Sequence, residues 1–236
     1  MPQVLLFDID GTLIHTGRAG VRALEHVMHD EFGVADALAG ISLAGRTDRA
    51  IILEVLARVA PSHEATDEWL VTFRDRYLER LSAELASDHP GKRVLPGVFD
   101  LLDALDGRGA DACIALLTGN FALGAEAKLR HFDLWRRFAW GAYGDAAVNR
   151  NDLLPTALAQ ARAAGLTDVR PADVVVIGDT PHDVACAHSG GARAVAVATG
   201  PYDTAVLAAT GADVVMQDLG NTAAVLAALD AFAAQR

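Results

Sequence analysis

Two aspartates stand one residue apart directly after an apolar run near the start of the chain. The segment VLLFDIDGTL, Val4 to Leu13, runs from a predicted buried strand into Asp8 and Asp10. Paired carboxylates can divide nucleophilic and acid–base catalysis between them, because one attacks while the other moves a proton. Taken alone, the pattern is equally typical of a strand-end turn in which Asp10 and Gly11 make the bend.

Polar residues follow two further apolar runs. One run ends at Leu117 and is followed by a Thr-Gly-Asn segment at 118–120; the other ends at Ile177 and is followed by Asp179 and Asp183. In an open parallel sheet, ligands bind outside the carboxyl ends of the strands. We therefore expect all these residues to lie at one edge of a sheet. The alternative for Asp183 is a purely structural role in the first turn of a helix after Pro181.

Four carboxylates at one sheet edge require a cation, because like charges at close range raise one another's pKa. Hard oxygen ligands, with no His or Cys placed among them, favour Mg²⁺, which commonly binds one or two carboxylates together with a substrate phosphate. The hydroxyl of Thr118 and the backbone amides of Gly119 and Asn120, ahead of the next predicted helix, suit phosphate oxygens. The sequence thus predicts a site for Mg²⁺ and a phosphate group.

Alternation of short apolar runs with helix-length amphipathic segments predicts an α/β fold. The runs are continuously apolar, as expected for strands of a parallel sheet that is covered on both faces. We predict a Rossmann-like parallel sheet with helices on both faces. Weaker strands at 138–143 and 213–216 would extend it.

A helical insert is predicted after the first strand. Three segments between His15 and His89 carry apolar residues at helical spacing, with no convincing strand between them. Glycines on one side and the segment SDHPGKRVLPG on the other supply flexible joints. We therefore divide the chain into a core of residues 1–14 and 91–236 and a small α-helical cap of residues 15–90, able to close over the site.

Composition excludes several classes of partner. The chain of 236 residues is 52% hydrophobic with a formal net charge of −11, which argues against binding to nucleic acid. Two scattered cysteines indicate neither a disulfide framework nor a zinc site, and no segment has the features of a signal peptide or a membrane span. We expect a cytoplasmic protein, monomeric or homodimeric, whose partner is a small phosphorylated metabolite.

Four separated segments together resemble a known family. DIDGT, the strand-end Thr118, Arg150 ahead of a helix, and GDTPHD resemble, in that order, the four motifs of the haloacid dehalogenase superfamily of phosphatases. The resemblance covers nearly the whole chain. It implies that Asp8 is the nucleophile and a metal ligand and that Asp10 is the general acid/base, with its backbone carbonyl on the metal. It further implies that Thr118 binds phosphate and that the helical insert is the family's cap.

The resemblance also implies metal-binding roles for two later acids. Asp179 resembles the family's metal-binding acid, and Asp183 would support the metal directly or through water. The third motif usually carries a lysine, whereas this chain offers Arg150, whose fork geometry differs from a point-charge ammonium. Lys128, one of only two lysines in the chain, is a rival for that role; we prefer Arg150 by its position in the motif order.

Motif details sort the possible reactions. Dehalogenases lack the second acid, so Asp10 favours hydrolysis of phosphate esters, and the cap lysine of phosphonoacetaldehyde hydrolases has no counterpart between His15 and His89. The segment LAGRTDRAI resembles the GRTD segment of phosphoglycolate-phosphatase-like proteins. Arg46, which lies in this segment, would contact an anion on the leaving group. A β-phosphoglucomutase type of phosphosugar mutase and a non-catalytic metal or phosphate-binding module stay open as alternatives.

Overall fold

The computed structural model describes residues 2–235. In it, the predicted apolar runs form strands of a six-stranded sheet, and two short strands form a separate pair. The strands are β1 (Gln3–Phe7), β2 (Ile14–Thr16), β3 (Lys92–Val94), β4 (Ala112–Leu117), β5 (Gly141–Ala142), β6 (Val174–Gly178), β7 (Arg193–Val197) and β8 (Val214–Met216). The helices are α1 (Ala19–Phe32), α2 (Asp48–Val59), α3 (Asp67–Ala86), α4 (Val98–Asp106), α5 (Ala122–His131), α6 (Leu153–Ala163), α7 (Pro181–Ser189), α8 (Thr204–Ala209) and α9 (Thr222–Ala233). Within residues 2–235, none of these helices has the length and apolar character needed to cross a membrane.

The main sheet is six-stranded and parallel, in the order β5-β4-β1-β6-β7-β8. Side chains of β1 alternate between its two faces: Leu5 and Phe7 join a cluster with α4, α5 and α9, and Val4 and Leu6 join a cluster with α6 and α7. All four are buried. The prediction of a Rossmann-like sheet with helices on both faces is confirmed.

Helices α1 to α3 follow β1 and carry an apolar cluster of their own. Val27, Val55 and Phe73 lie in this cluster, and Phe121, just before α5, also packs into it. Threonine side chains cap the starts of α2 and α3 by accepting hydrogen bonds from backbone amides. The division of the chain into a core of 1–14 and 91–236 and a cap of 15–90 stays a prediction.

A small antiparallel pair joins the ends of the helical segment. Strand β2 pairs with β3, with His15 opposite Arg93. The sequence did not predict this pair, because each strand is only three residues long and the two are far apart in the chain. The pair brings the chain back beside its point of departure, so that the helices are held by two short strands.

Strand β5 is shorter than predicted. The expected strand at 138–143 is reduced to Gly141–Ala142. A helical turn at Trp135–Arg137 precedes it, and Phe138 packs edge-on against Phe7, with ring centroids 6.1 Å apart. The aromatic side chain that suggested a strand therefore serves the core beneath the sheet.

The turn into α4 depends on a glycine. Gly97 has φ +76°, and a Cβ there would overlap the carbonyl group of Leu219. We expect Gly97→Ala to lower the free energy of unfolding by about 3 kcal/mol or more, because left-handed strain and steric overlap add. Gly211→Ala is the matched control, since Gly211 has φ +82° and no atom of residues 2–235 lies within 4 Å of its Cβ position. We expect this substitution to lower the free energy of unfolding by about 1 kcal/mol. Urea unfolding of both variants measures the difference; equal losses would contradict the overlap.

Candidate active site

Three adjacent strands deliver the predicted site residues to one edge of the sheet. In the register, Phe7 of β1 lies between Leu116 of β4 and Ile177 of β6. Asp8 therefore follows the central strand, and residues 118 and 179 follow its two neighbours. The backbone amide of Asp8 donates to the carbonyl of Ile177 at 3.0 Å, which extends the sheet pairing into the site.

The turn after β1 brings its backbone against Asp179. Gly11 has φ +85°, and a Cβ there would overlap the Asp179 carboxylate. The Thr12 hydroxyl donates to Oδ1 of Asp179 at 3.2 Å, while the Thr199 hydroxyl donates to the Gly11 carbonyl at 2.5 Å. Glycine is required here by both the backbone conformation and the space. Thr12 lies within the quoted DIDGT segment, but no local pattern predicts its contact with Asp179.

Three carboxylates form a buried cluster. Asp8, Asp179 and Asp183 are 5%, 2% and 2% exposed, and each offers an oxygen within 4.8 Å of those of the others. Burial raises the pKa of Asp8 to about 6, with Arg150 opposing this and Asp183 adding to it. Burial also raises the pKa of Asp179 well above its usual range, reinforced by Asp183 and Asp8. Such a set of hard oxygen donors could hold a metal ion.

Asp183 lies both in this cluster and in the first turn of α7. Its Oδ2 accepts from the backbone amide of Thr180 at 3.0 Å and from the Thr180 hydroxyl at 2.7 Å. The backbone amide of Asp183 in turn donates to the Thr180 hydroxyl at 3.4 Å, and these reciprocal bonds make a capping box. Its Oδ1 accepts from Arg150 at 2.5 Å. Asp183 therefore has the place in a helix start that was the alternative to supporting a metal. It also offers a carboxylate oxygen to the acid cluster.

Arg150 balances the acids. It is 5% exposed, and its Nη2 lies 2.5 Å from Oδ1 of Asp183 and 3.2 Å from Oδ1 of Asp8. Burial works against its charge, but Asp183 and Asp8 outweigh that effect and raise the pKa of Arg150 above its ordinary value. Its buried Nε has no hydrogen-bond partner within the described part of the chain.

Lys128 serves the other aspartate. Its Nζ lies 2.6 Å from Oδ2 of Asp10 and donates to Oδ1 of Asn120 at 2.5 Å. The structure therefore brings both candidates for the third-motif cation into the site, on different acids. Arg150 contacts Asp8, and Lys128 contacts Asp10.

Residues 118–120 form a tightly packed loop. The Asn120 side-chain amide donates to Oδ2 of Asp10 at 2.9 Å and to the hydroxyl of Thr118 at 2.8 Å. Thr118 is fully buried, and a Cβ at Gly119 would overlap the carbonyl of Arg46. Asn120 thus orients Asp10, a contact that sequence reasoning did not anticipate.

The site opens into a chamber of about 480 Å³ between the sheet edge and helices α1 to α3. Arg46 lies on its wall, where its guanidinium contacts Glu54 at 2.5 Å and the Ser42 carbonyl at 3.2 Å. Asp48 and Tyr77, which sequence reasoning missed, also line it. Asp48 belongs to the same Gly-Arg-Thr-Asp segment as Arg46, so the signal was present but unused. All the predicted site residues line the chamber except Asp183, which contacts Arg150 behind it.

Comparison with known proteins places these features in a family. Residues 5–197 match the haloacid dehalogenase-like hydrolases. The chain is 28% identical over 207 residues to the phosphoglycolate phosphatase of Synechococcus elongatus, covering 88% of this chain and 89% of that one. It is 27% identical over 208 residues to phosphoglycolate phosphatase 1 of Pseudomonas aeruginosa, covering 85% and 71%.

Solved structures share the fold. The crystal structure of a protein described as a predicted phosphoglycolate phosphatase from Haemophilus somnus 129pt superposes with a TM-score of 0.71 at 18% identity, covering 95% of this chain and 98% of that one. At that identity the similarity concerns the fold alone. The family match spans most of the chain and includes the acids at the ends of β1 and β6, and on that basis the chain belongs to the haloacid dehalogenase-like hydrolases.

Proposed function

We propose that this protein is a Mg²⁺-dependent phosphatase that hydrolyses a small phosphomonoester through an aspartyl-phosphate on Asp8. The observation that carries the proposal is the joint placement of Asp8 and Asp10 in one chamber with Thr118 and Arg150. A nucleophile, a proton donor and phosphate-binding donors are the groups such a reaction needs. The phosphatase names of the relatives support the same class of reaction.

Asp8 is the proposed nucleophile. Its pKa of about 6 leaves it mostly ionised at neutral pH, so that an oxygen is available to attack phosphorus. Arg150, 3.2 Å away, stabilises that charge and would also stabilise the transferring phosphoryl group. The Nε of Arg150, which has no hydrogen-bond partner among residues 2–235, is a donor that a phosphoryl oxygen would satisfy. The Thr118 hydroxyl and the amides of Gly119 and Asn120 are the proposed remaining phosphate contacts.

Asp10 is the proposed general acid/base. Its side chain is 41% exposed to the chamber, while Lys128 and Asn120 hold its Oδ2. The other oxygen, Oδ1, would give a proton to the departing alkoxide and then take one from the water that hydrolyses the aspartyl-phosphate. Fixing one oxygen leaves the other free for proton transfer.

Mg²⁺ is the proposed cofactor, and the donor set fits it. The carboxylates of Asp8, Asp179 and Asp183 supply hard oxygens, the ligand type that Mg²⁺ prefers. The backbone carbonyl of Asp10 is a further proposed ligand. When bound, the ion would neutralise charge on the acids and on the phosphoryl oxygens.

Phosphoglycolate is the first candidate substrate, because the matched relatives carry that name. Arg46, on the wall formed by the proposed cap, would bind the carboxylate of such a leaving group after exchanging Glu54 for it. We propose the cytoplasm as the compartment, in keeping with two free thiols at Cys113 and Cys186. A phosphosugar mutase would share the same first step and differ in the fate of the aspartyl-phosphate.

Asp8→Asn tests the proposed reaction. We expect phosphate release from a panel of phosphoglycolate, sugar phosphates and aryl phosphates to require Mg²⁺ and to fall at least about a thousandfold in the variant, because the nucleophile is lost. Colorimetric phosphate release with Mg²⁺ or with chelator measures this. Full activity in Asp8→Asn would remove the nucleophile assignment, and isomerisation of a sugar phosphate without phosphate release would show a mutase.

The buried acids predict pH-dependent metal binding. Because burial raises the pKa of Asp8 from 3.8 to about 6, the metal-free folded state binds protons more tightly than the unfolded chain between these values, and its stability from this group falls as pH rises. Mg²⁺ requires the ionised form. We therefore expect the Mg²⁺-induced rise in Tm to be larger near pH 7.5 than near pH 5, with an affinity at least about tenfold higher.

Thermal unfolding with and without Mg²⁺ at the two pH values measures this effect. Asp179→Asn is the control, since it keeps the shape but removes a charged ligand; the Mg²⁺ response is expected to disappear. An equal rise in Tm at both pH values, or an undiminished response in the variant, would contradict a metal site in this cluster.

Arg46→Ala tests recognition of the leaving group. We expect KM for phosphoglycolate to rise about tenfold while KM for p-nitrophenyl phosphate changes less than about twofold, because only the first carries an anion beyond the phosphoryl group. Glu54→Gln is the matched control: it removes the partner of Arg46 and keeps the guanidinium. Steady-state kinetics decide, and equal losses on both esters would exclude Arg46 from recognition.

A further inference from the structure

Asp48 joins the helical segment to the loop that follows β4. Its backbone amide donates to the carbonyl of Gly119 at 2.8 Å, and its Oδ2 accepts from the backbone amide of Phe121 at 2.9 Å. These two contacts lie on either side of Asn120. Asp48 is therefore hydrogen-bonded to the residues immediately before and after Asn120, whose side chain orients Asp10.

The backbone of residues 46–48 lies very close to the backbone of the loop after β4. A Cβ at Gly119 would overlap the Arg46 carbonyl, and a Cβ at Gly144 would overlap the Gly119 carbonyl. The hydroxyl of Thr47, buried at the start of α2, also lies 3.4 Å from the carbonyl of Val148. Residues 46–48 are thus packed against the sheet edge by backbone contacts, which define their position more tightly than flexible side chains would.

The side chain of Asp48 also completes a helix in another part of the chain. Phe121 is the N-cap residue of α5 and has no capping side chain of its own. Asp48 accepts from its amide, and Asp145 accepts from the next amide, Ala122 N, at 2.8 Å. Two acids therefore satisfy the first N–H groups of α5, where the helix dipole favours negative charge.

Lys128, two turns along α5, connects this helix start to the proposed acid/base. Burial lowers the pKa of Lys128, but the carboxylates of Asp10 and Asp48 outweigh burial and raise it above its ordinary value. The ammonium thus lies in the field of one acid from the sheet edge and one from the helical segment. Its hydrogen bonds go to Asp10 and Asn120.

We propose that Asp48 is a positioning residue that couples closure of the helical segment to the orientation of Asp10, acting through Asn120 and Lys128. The proposal rests on the proposed phosphatase function. With Asp48 seated, residues 119 and 121 are fixed, Asn120 and Lys128 hold Oδ2 of Asp10, and Oδ1 faces the leaving group. When Asp48 leaves this position, residues 119 and 121 lose their hydrogen bonds to it and Asp10 loses its alignment for proton transfer. Asp48→Ala removes the bond to the Phe121 amide, which the side chain makes.

Leaving groups that differ in their need for a proton separate this role from a general structural one. An alkyl phosphate departs as an alkoxide and requires Asp10 as an acid, whereas p-nitrophenyl phosphate departs as a stabilised phenolate and requires it little. We expect Asp48→Ala to lower kcat/KM at least about tenfold for the alkyl ester that the wild type hydrolyses best, and less than about threefold for p-nitrophenyl phosphate. The alkyl-specific loss is expected in kcat more than in KM.

Two further variants make the test specific. Asp145→Ala removes the neighbouring acid at the start of α5, whose hydrogen bond goes to the Ala122 amide, and leaves the hydrogen bonds of Asp48 in place. It is expected to lower Tm by an amount similar to Asp48→Ala and to leave the ratio of the two esters unchanged. Asp48→Asn keeps an acceptor for the Phe121 amide without the charge. It is expected to recover part of the alkyl-specific loss and to serve alone if Asp48→Ala does not fold.

The outcomes separate the two proposals. Equal losses on both esters in the Asp48 variants, no loss at all, or the same change of ratio in Asp145→Ala would overturn the positioning role while the phosphatase assignment stands. A wild-type protein that releases phosphate from no ester, or an Asp8→Asn variant with full activity, would overturn the proposed function and the role of Asp48 with it.

Discussion

The site depends on the burial of carboxylates beside one another. Asp8, Asp179 and Asp183 are nearly inaccessible and lie within reach of a common ion. Such burial is unfavourable for charged groups unless they are paired. Arg150 is a cation that the chain itself provides, while burial first, and the neighbouring acids after it, raise the pKa values of Asp8 and Asp179. A metal ion, which this set of oxygens could hold, would offset the repulsion between the acids.

The architecture keeps these acids from moving apart. Asp8 and Asp179 follow β1 and β6, which are paired along their length, and Asp183 lies in the first turn of α7, the helix after β6. Both faces of that sheet are covered by apolar clusters, so a strand cannot shift without opening the core. The close approach of Gly11 to Asp179 and the capping box of Thr180 and Asp183 then fix the turns beyond the strands. The packing on both faces of the sheet thus opposes the repulsion between the acids.

The parts of this arrangement that could be predicted from the sequence are those specified by contiguous segments of the chain. A buried strand followed by Asp8, Thr118 or Asp179 is a contiguous signal, and parallel strands must end at the same edge. The pairing of Lys128 with Asp10 spans 118 positions in the chain, and that of Asp48 with Phe121 spans 73; no local pattern specifies either. The strands β2 and β3 were missed for the same reason, since three residues carry too little periodicity. Asp183 needed the structure because one side chain serves both a helix start and the acid cluster.

Two cations lie beside different acids, which supports the proposal that Arg150 takes the place of the lysine in the family's third motif. Arg150 bridges Asp8 and Asp183 through one nitrogen, and its guanidinium stays charged under all relevant conditions, so the proposed nucleophile always has a partner. Asp10, the proposed general acid/base, has a different requirement, because such a group must exchange a proton while its carboxylate stays oriented. The compact ammonium of Lys128 meets it by holding Oδ2 together with the Asn120 amide, and Oδ1 is left for the proton. Arg150 beside Asp8 and Lys128 beside Asp10 give each of these acids its own cation.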